Sequence, residues 1–116
     1  MKLQSELVRL KEFQLNEKRR QFKQMEKMIA EFRRITNDLE QQIILEEQKS
    51  GISDSNHFAY PTFAKSARQR VVNLMMSIDN LLVQQEIIEA ALADLESEYA
   101  RVISLEGREE IIRSCS

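Results

Sequence analysis

Residues 1–50 contain neither glycine nor proline, and the whole 116-residue chain holds only two glycines and one proline. These are the residues that most readily punctuate regular structure. They stand at Gly51, Pro61 and Gly107. The sequence therefore offers one central place to turn, between Gly51 and Pro61, with a long uninterrupted segment on either side.

Both segments carry heptad spacing. In the first, Val8, Leu15, Phe22, Ile29 and Ile43 share one phase, with Thr36 in the single gap. Met25, Phe32 and Leu39 follow at the +3 offset, and Met28 and Ile35 sit one position ahead of the first set. Together they mark about three-sevenths of a helix face. Nearer the N-terminus the pattern weakens. Leu3, Leu7 and Leu10 lie on a shifted stripe, and Lys11 and Lys18 occupy seam positions. Either the register stutters there or the region packs loosely.

The second segment is cleaner. Ala67, Leu74, Leu81, Ile88, Leu95 and Val102 recur every seven residues, and Val71, Ile78, Gln85, Leu92 and Tyr99 fill the other seam. Sustained 3–4 alternation of this kind predicts a coiled coil. Gln85 is its one polar interruption, and a lone polar seam residue often specifies register.

The connector favours a sharp reversal. Gly51 suits the position just past a helix end, with Ile52 able to fold back on the last turn. Pro61 suits the first turn of the next helix, where its missing N–H costs nothing. The prediction is an all-α fold, a long two-helix antiparallel coiled-coil hairpin in one domain. Helix one spans about 2–50, the tip loop about 51–60 and helix two about 61–112. With the turn near Ser55, Leu39 faces the region of Val71, and Leu7 that of Val102. One long helix per chain, dimerising in parallel, is the competing architecture; Gly51, "SDSN" and Pro61 argue against it. The extra apolar residues Leu10, Phe13, Ile44, Met75, Leu82, Ile87 and Ile103 leave room for a homodimer of hairpins, which a thin two-helix core favours. Past Gly107, the tail "GREEIIRSCS" is expected to fray or end soon, because glycine weakens a helix by about 1 kcal/mol relative to alanine.

Charge narrows the function classes. The net charge is −2, too small for a strong bulk attraction to nucleic acid or anionic membrane. Residues 1–50 carry 11 Lys/Arg against 9 Asp/Glu, and residues 51–116 carry 6 against 10. Opposite signs suit two segments that pack together, although exposed ion pairs contribute little each. No apolar run reaches the roughly 20 residues that cross a bilayer, and "MKLQSELVRLKEFQ" lacks the apolar core of a signal peptide. The single cysteine, Cys115, reads as a free thiol in a reducing compartment. The expectation is a soluble cytoplasmic protein without direct membrane insertion.

Chemistry is sparse. His57 is the sole histidine and has no companions at metal-ligand spacing, so a capping or partner contact is favoured over catalysis or metal binding. There is no glycine-rich phosphate loop. Carboxylate neighbours such as Glu46 and Glu47 read as a solvated helix face. No catalytic, cofactor-binding or metal residue is assigned, and an enzyme is not expected. Two clusters are candidate partner sites. Lys18, Arg19, Arg20 and Lys23 form a basic patch. It reads as a charged helix surface answering Glu96 and Glu98 rather than a nucleic-acid site. The second cluster is the tip, where "SNHFAYPTFAK" (55–65) concentrates His57, Phe58, Tyr60, Pro61 and Phe63. These rings either form an apolar contact surface or fold back to plug the end of the coiled coil, with Phe63 and Phe58 favoured as plugs.

Three stretches resemble the flagellar FliJ family, in its alphaproteobacterial branch: "LVRLKEFQLNEKRRQ" (7–21), "MIAEFRRITNDLEQQIILEEQKSGISD" (28–54) and "NHFAYPTFAKSARQR" (56–70). They cover about half of the chain. The tip stretch is the most specific of them, because heptad periodicity does not require N-H-F-A-Y-P. The resemblance implies a non-catalytic coiled coil of the flagellar type III export apparatus. It also implies contacts with the export ATPase, the export gate and export chaperones, and a cytoplasmic place peripheral to the inner membrane. Family members run further past the second helix with a charged tail. The alternative is a free-standing regulatory or scaffold coiled coil unrelated to export.

Overall fold

The computed structural model describes residues 2–115, without the side chains of residues 2–4, 109, 110, 113 and 115. The Leu3 side chain and the Cys115 thiol, both singled out in the sequence, therefore lie outside the described residues. Two helices account for the fold, α1 (Lys2–Ser50) and α2 (Thr62–Cys115). They form an all-α two-helix antiparallel hairpin. The chain divides into two units. The tip unit is Glu26–Val83, and the terminal unit combines Met1–Met25 with Gln84–Ser116.

In the tip unit, burial follows the heptads. Leu39, Ile43, Ala64, Ala67 and Val71 form one core cluster with Tyr60, and Ile35, Ile52 and Leu74 pack against it. Leu39 and Val71 thus share a cluster, at the level the turn position predicts. Two small residues in successive seam positions, Ala64 (0% exposed) and Ala67, let the helices approach closely near the turn. A second cluster joins Ile29, Ile78 and Leu81, with Phe32 and Leu82 against it. Thr36 keeps its seam position, and its buried hydroxyl has no hydrogen-bond partner among the described residues.

In the terminal unit, Leu15, Ile88 and Val102 are buried. Val8, Lys11, Lys18, Phe22, Leu92, Leu95 and Tyr99 are half-buried. The heptad phase therefore runs through Val8, Lys11, Leu15 and Lys18 without a stutter. Leu7 and Leu10 stand on the exposed side. The expected facing of Leu7 and Val102 is corrected: Val8 is the seam residue there. Hydrogen bonds from Ser5 to Glu106 (3.3 Å) and from Lys11 to Glu98 (2.6 Å) bracket the level of Val102. A lysine can serve in a seam because its aliphatic stem covers apolar surface while its ammonium group reaches the rim.

α2 continues through Gly107 to Cys115, three residues beyond the expected end near residue 112. One exposed helical glycine costs about 1 kcal/mol, which a long helix absorbs. No described helix is long and apolar enough to cross a membrane.

Candidate functional site

α1 ends on an αL cap. Gly51 has φ 71°, a left-handed conformation that residues with a Cβ rarely adopt. Its N–H donates to the Glu47 carbonyl at 2.9 Å, the single bond that defines this cap. The N–H of Ile52 donates to Ser50 Oγ at 3.1 Å, and the Ile52 side chain returns to the core. The chain then makes two consecutive turns. His57 N–H donates to the Asp54 carbonyl and Tyr60 N–H to the His57 carbonyl, both at 3.1 Å. Side chains reinforce each turn. Asp54 Oδ1 accepts from Asn56 N–H at 2.9 Å, and His57 Nδ1 accepts from Ala59 N–H at 3.0 Å. Asp and Asn favour turns through local bonds of this kind, and the His57 imidazole serves the same way here. α2 opens as Lys65 N–H donates to the Pro61 carbonyl at 3.0 Å. Pro61 therefore caps α2 from just outside it and gives up no helical donor.

Tyr60 closes the turn. Its ring is buried at 7% exposure. Its hydroxyl donates to Glu47 Oε2 at 2.7 Å and accepts from Arg68 Nε at 2.7 Å. Arg68 also donates from its NH2 group to the same Glu47 oxygen at 2.7 Å. The three side chains form a closed ring of hydrogen bonds that ties the last turn of α1 to the loop and to the first turns of α2. The Arg68 guanidinium additionally lies 5.9 Å from the Tyr60 ring centre. Hydrogen bonds from Arg68 and then Tyr60 hold the Glu47 carboxyl below its ordinary range. Burial, followed by the bond to Glu47, pushes the Tyr60 hydroxyl up. The bonds to Glu47 and Tyr60 raise Arg68 further.

This arrangement changes the roles expected from sequence. The plug of the hairpin end is Tyr60. Phe58 is 96% exposed and Phe63 51% exposed, so neither fills the core. Phe58 instead stacks on His57, with ring centres 4.7 Å apart and an interplanar angle of 23°. Pro61 is half-buried. Of the five tip candidates, His57, Phe58 and Phe63 thus present surface, while Tyr60 and Pro61 support it. The expected solvated place of Glu47 is corrected, because its carboxylate is held by Tyr60 and by Arg68, a residue that carries no signal in the sequence pattern. A signal for Tyr60 did exist: it lies seven residues before Ala67 and so continues the seam phase of α2 back into the loop.

The basic patch is dispersed. Lys18 lies in the seam and donates to Gln21 at 3.3 Å. Arg19 reaches Glu96 at 3.8 Å, as a cross-helix pair. Arg20 pairs along its own helix with Glu17. Lys23 is exposed. Glu98 is met by Lys11 rather than by the patch. No group of three or more His, Cys, Asp or Glu among the described residues could hold a metal ion. Compared with known proteins, the chain matches no family model, no curated protein and no solved structure.

Proposed function

We propose that the chain is a non-catalytic binding element whose hairpin tip engages a protein partner. The observation that carries this reading is Phe58. Its ring is 96% exposed, yet it sits in a loop held by two turns and stacks on His57. An apolar ring already fixed in place loses little conformational freedom on docking, and aromatic anchors of this type dominate interface energetics. The closed Tyr60–Glu47–Arg68 ring beneath holds the platform against the helices.

The partner class follows from the resemblance of the tip and flanking stretches to the FliJ family. On that reading the protein couples or escorts within the flagellar type III export apparatus, through the export ATPase and the export gate. The test is a pull-down with both full-length proteins from the same organism, using the wild type and Phe58→Ala. Capture by wild type that is lost in Phe58→Ala, with unchanged helical circular dichroism, supports the reading. No capture of either partner sinks it. The free-standing scaffold reading gains ground if the tip captures a protein from outside the export apparatus and that capture also depends on Phe58.

A further inference from the structure

One face of the tip unit carries an open groove between the helices, apolar along its floor and bordered by Glu47 and Arg68 near the turn and by Arg33, Asn37 and Asp79 further along. Ile43 and Val71 form its floor near the turn, between Ile44 and Val72. Further along, Ile78 lies between Met75 and Leu82, beside the unpartnered Thr36 hydroxyl. Glu40 borders both stretches. Ile44, Val72 and Met75 are each about half exposed, although they sit beside the seam. No large side chain is fully buried among the described residues, so the two-helix core beneath this groove is thin.

Charge selects the occupant. Within the tip unit, residues 26–50 of α1 carry four Lys/Arg against six Asp/Glu. Residues 62–83 of α2 carry three Lys/Arg against one Asp. One helix is net acidic and the other net basic by the same amount. A surface of this kind is complementary to itself. A two-fold axis running along the helices lays α1 of one copy over α2 of the other, so that every neighbouring helix pair is antiparallel and of opposite sign. The core cluster that joins Leu39 to Val71 sets the levels of the two helices. At those levels Glu40 of one copy lies between Arg68 and Val72 of the second, and Arg33 between Met75 and Asp79. The alternative two-fold, with tips pointing apart, would set like-charged helices against each other.

We propose that the tip unit pairs with a second copy of this chain, groove to groove, with α1 of each covering α2 of the other. The interface is isologous, the commonest symmetry of soluble oligomers, and completes a four-helix core of the kind that two helices alone lack. This inference is independent of the partner that Phe58 engages.

The test uses the full chain. Light scattering across a range of concentrations is expected to reach twice the 13.6 kDa chain mass. Val72→Glu places a carboxylate in the apolar interface and is expected to weaken the dimer at least about a hundredfold while far-UV circular dichroism stays helical. Met76→Glu, at an exposed position outside the groove lining, is expected to leave it intact. To fix the orientation, Asn37→Cys and Val72→Cys, which the proposed pairing sets at one level, are prepared separately on a Cys115→Ser background and mixed under mild oxidation. The expected product is the mixed disulfide between the two variants. A monomer at every concentration would overturn the proposal. So would a dimer that Val72→Glu leaves unchanged, or self-crosslinking of Asn37→Cys in place of the mixed product. None of these outcomes bears on Phe58-dependent capture, so failure here and failure of the proposed function are read separately.

Discussion

The tip unit and the terminal unit share one heptad pattern but hold themselves together differently. In the tip unit the seam is apolar except at Thr36, and two clusters of buried side chains fill it. Its cross-helix polar contacts converge on one place, the Tyr60–Glu47–Arg68 ring. In the terminal unit, lysines stand at two seam positions, and Val8, Phe22, Leu92, Leu95 and Tyr99 are only half-buried beside the buried Leu15, Ile88 and Val102. Cross-helix contacts there are spread along the rim, as Ser5–Glu106, Lys11–Glu98 and Arg19–Glu96. Charge follows the same division. Residues 1–25 carry seven Lys/Arg against three Asp/Glu, and residues 84–116 carry three against eight. Equal periodicity therefore does not mean equal cohesion. Apolar burial stabilises by roughly 25 cal/mol per Å² and is not screened by salt, whereas exposed charge pairs are weak and screened.

The largest effect is expected where the apolar seam is densest. Ile43→Ala removes a buried side chain from the main tip cluster and should lower stability by about 3 kcal/mol, read by urea unfolding. If the terminal unit proved equally sensitive at Leu15→Ala, the contrast between the units would fail. Next in size is a gain. Lys18→Leu restores an apolar residue to the terminal seam and should add about 1.5 kcal/mol. It should also slow amide hydrogen exchange in the terminal unit; unchanged exchange there would mean that Lys18 is not a seam residue. Thr36→Val replaces the unpartnered hydroxyl of the tip unit with an isosteric methyl and should add about 1 kcal/mol. A loss of stability would show instead that the hydroxyl finds a partner in solution.

The smallest effect is the pH response of the polar ring. The Glu47 carboxyl titrates below its ordinary range in the fold, so its contribution is fully present above that range. It is lost as pH falls through the lowered value. Tyr60 titrates above its ordinary range, about 10, so its contribution is present below that and lost as pH rises through the raised value. Melting temperature followed against pH should therefore decline at both extremes. In Glu47→Gln the acid decline should be shallower than in wild type. Identical acid limbs would remove Glu47 from the account of tip stability.

Much of this was legible in the sequence because it depends on local periodicity. The seam of α2 could be read position by position from Ala67 to Val102. Gly51 announced the reversal, since only a residue without a Cβ takes φ 71° at no steric cost. Lys11 and Lys18 were harder, because polarity in a seam position fits a stutter as well as a buried stem with a solvated end. The same limit applied at the tip. Composition showed that aromatic rings gather between Asn56 and Phe63, but not which ring turns inward. Tyr60 takes that place because the seam phase of α2 reaches back to it, because Ala64 and Ala67 leave room beside it, and because Glu47 and Arg68 satisfy its hydroxyl. Phe58 has none of these supports, and stacks on His57 in solvent.

By itself, then, the sequence determined that there are two helices, where they reverse, and which residues of α2 form the apolar seam. Each of these follows from spacing along the chain and from the backbone freedom of single residues. Only the tertiary structure decided that Tyr60 is the plug, that Glu47 is bound rather than solvated, and that the basic patch is divided among separate partners. Those outcomes depend on residues distant in sequence arriving at the same place: Glu47 and Arg68 are 21 positions apart, and Lys11 and Glu98 are 87. A period counted along one helix carries no record of what stands across from it.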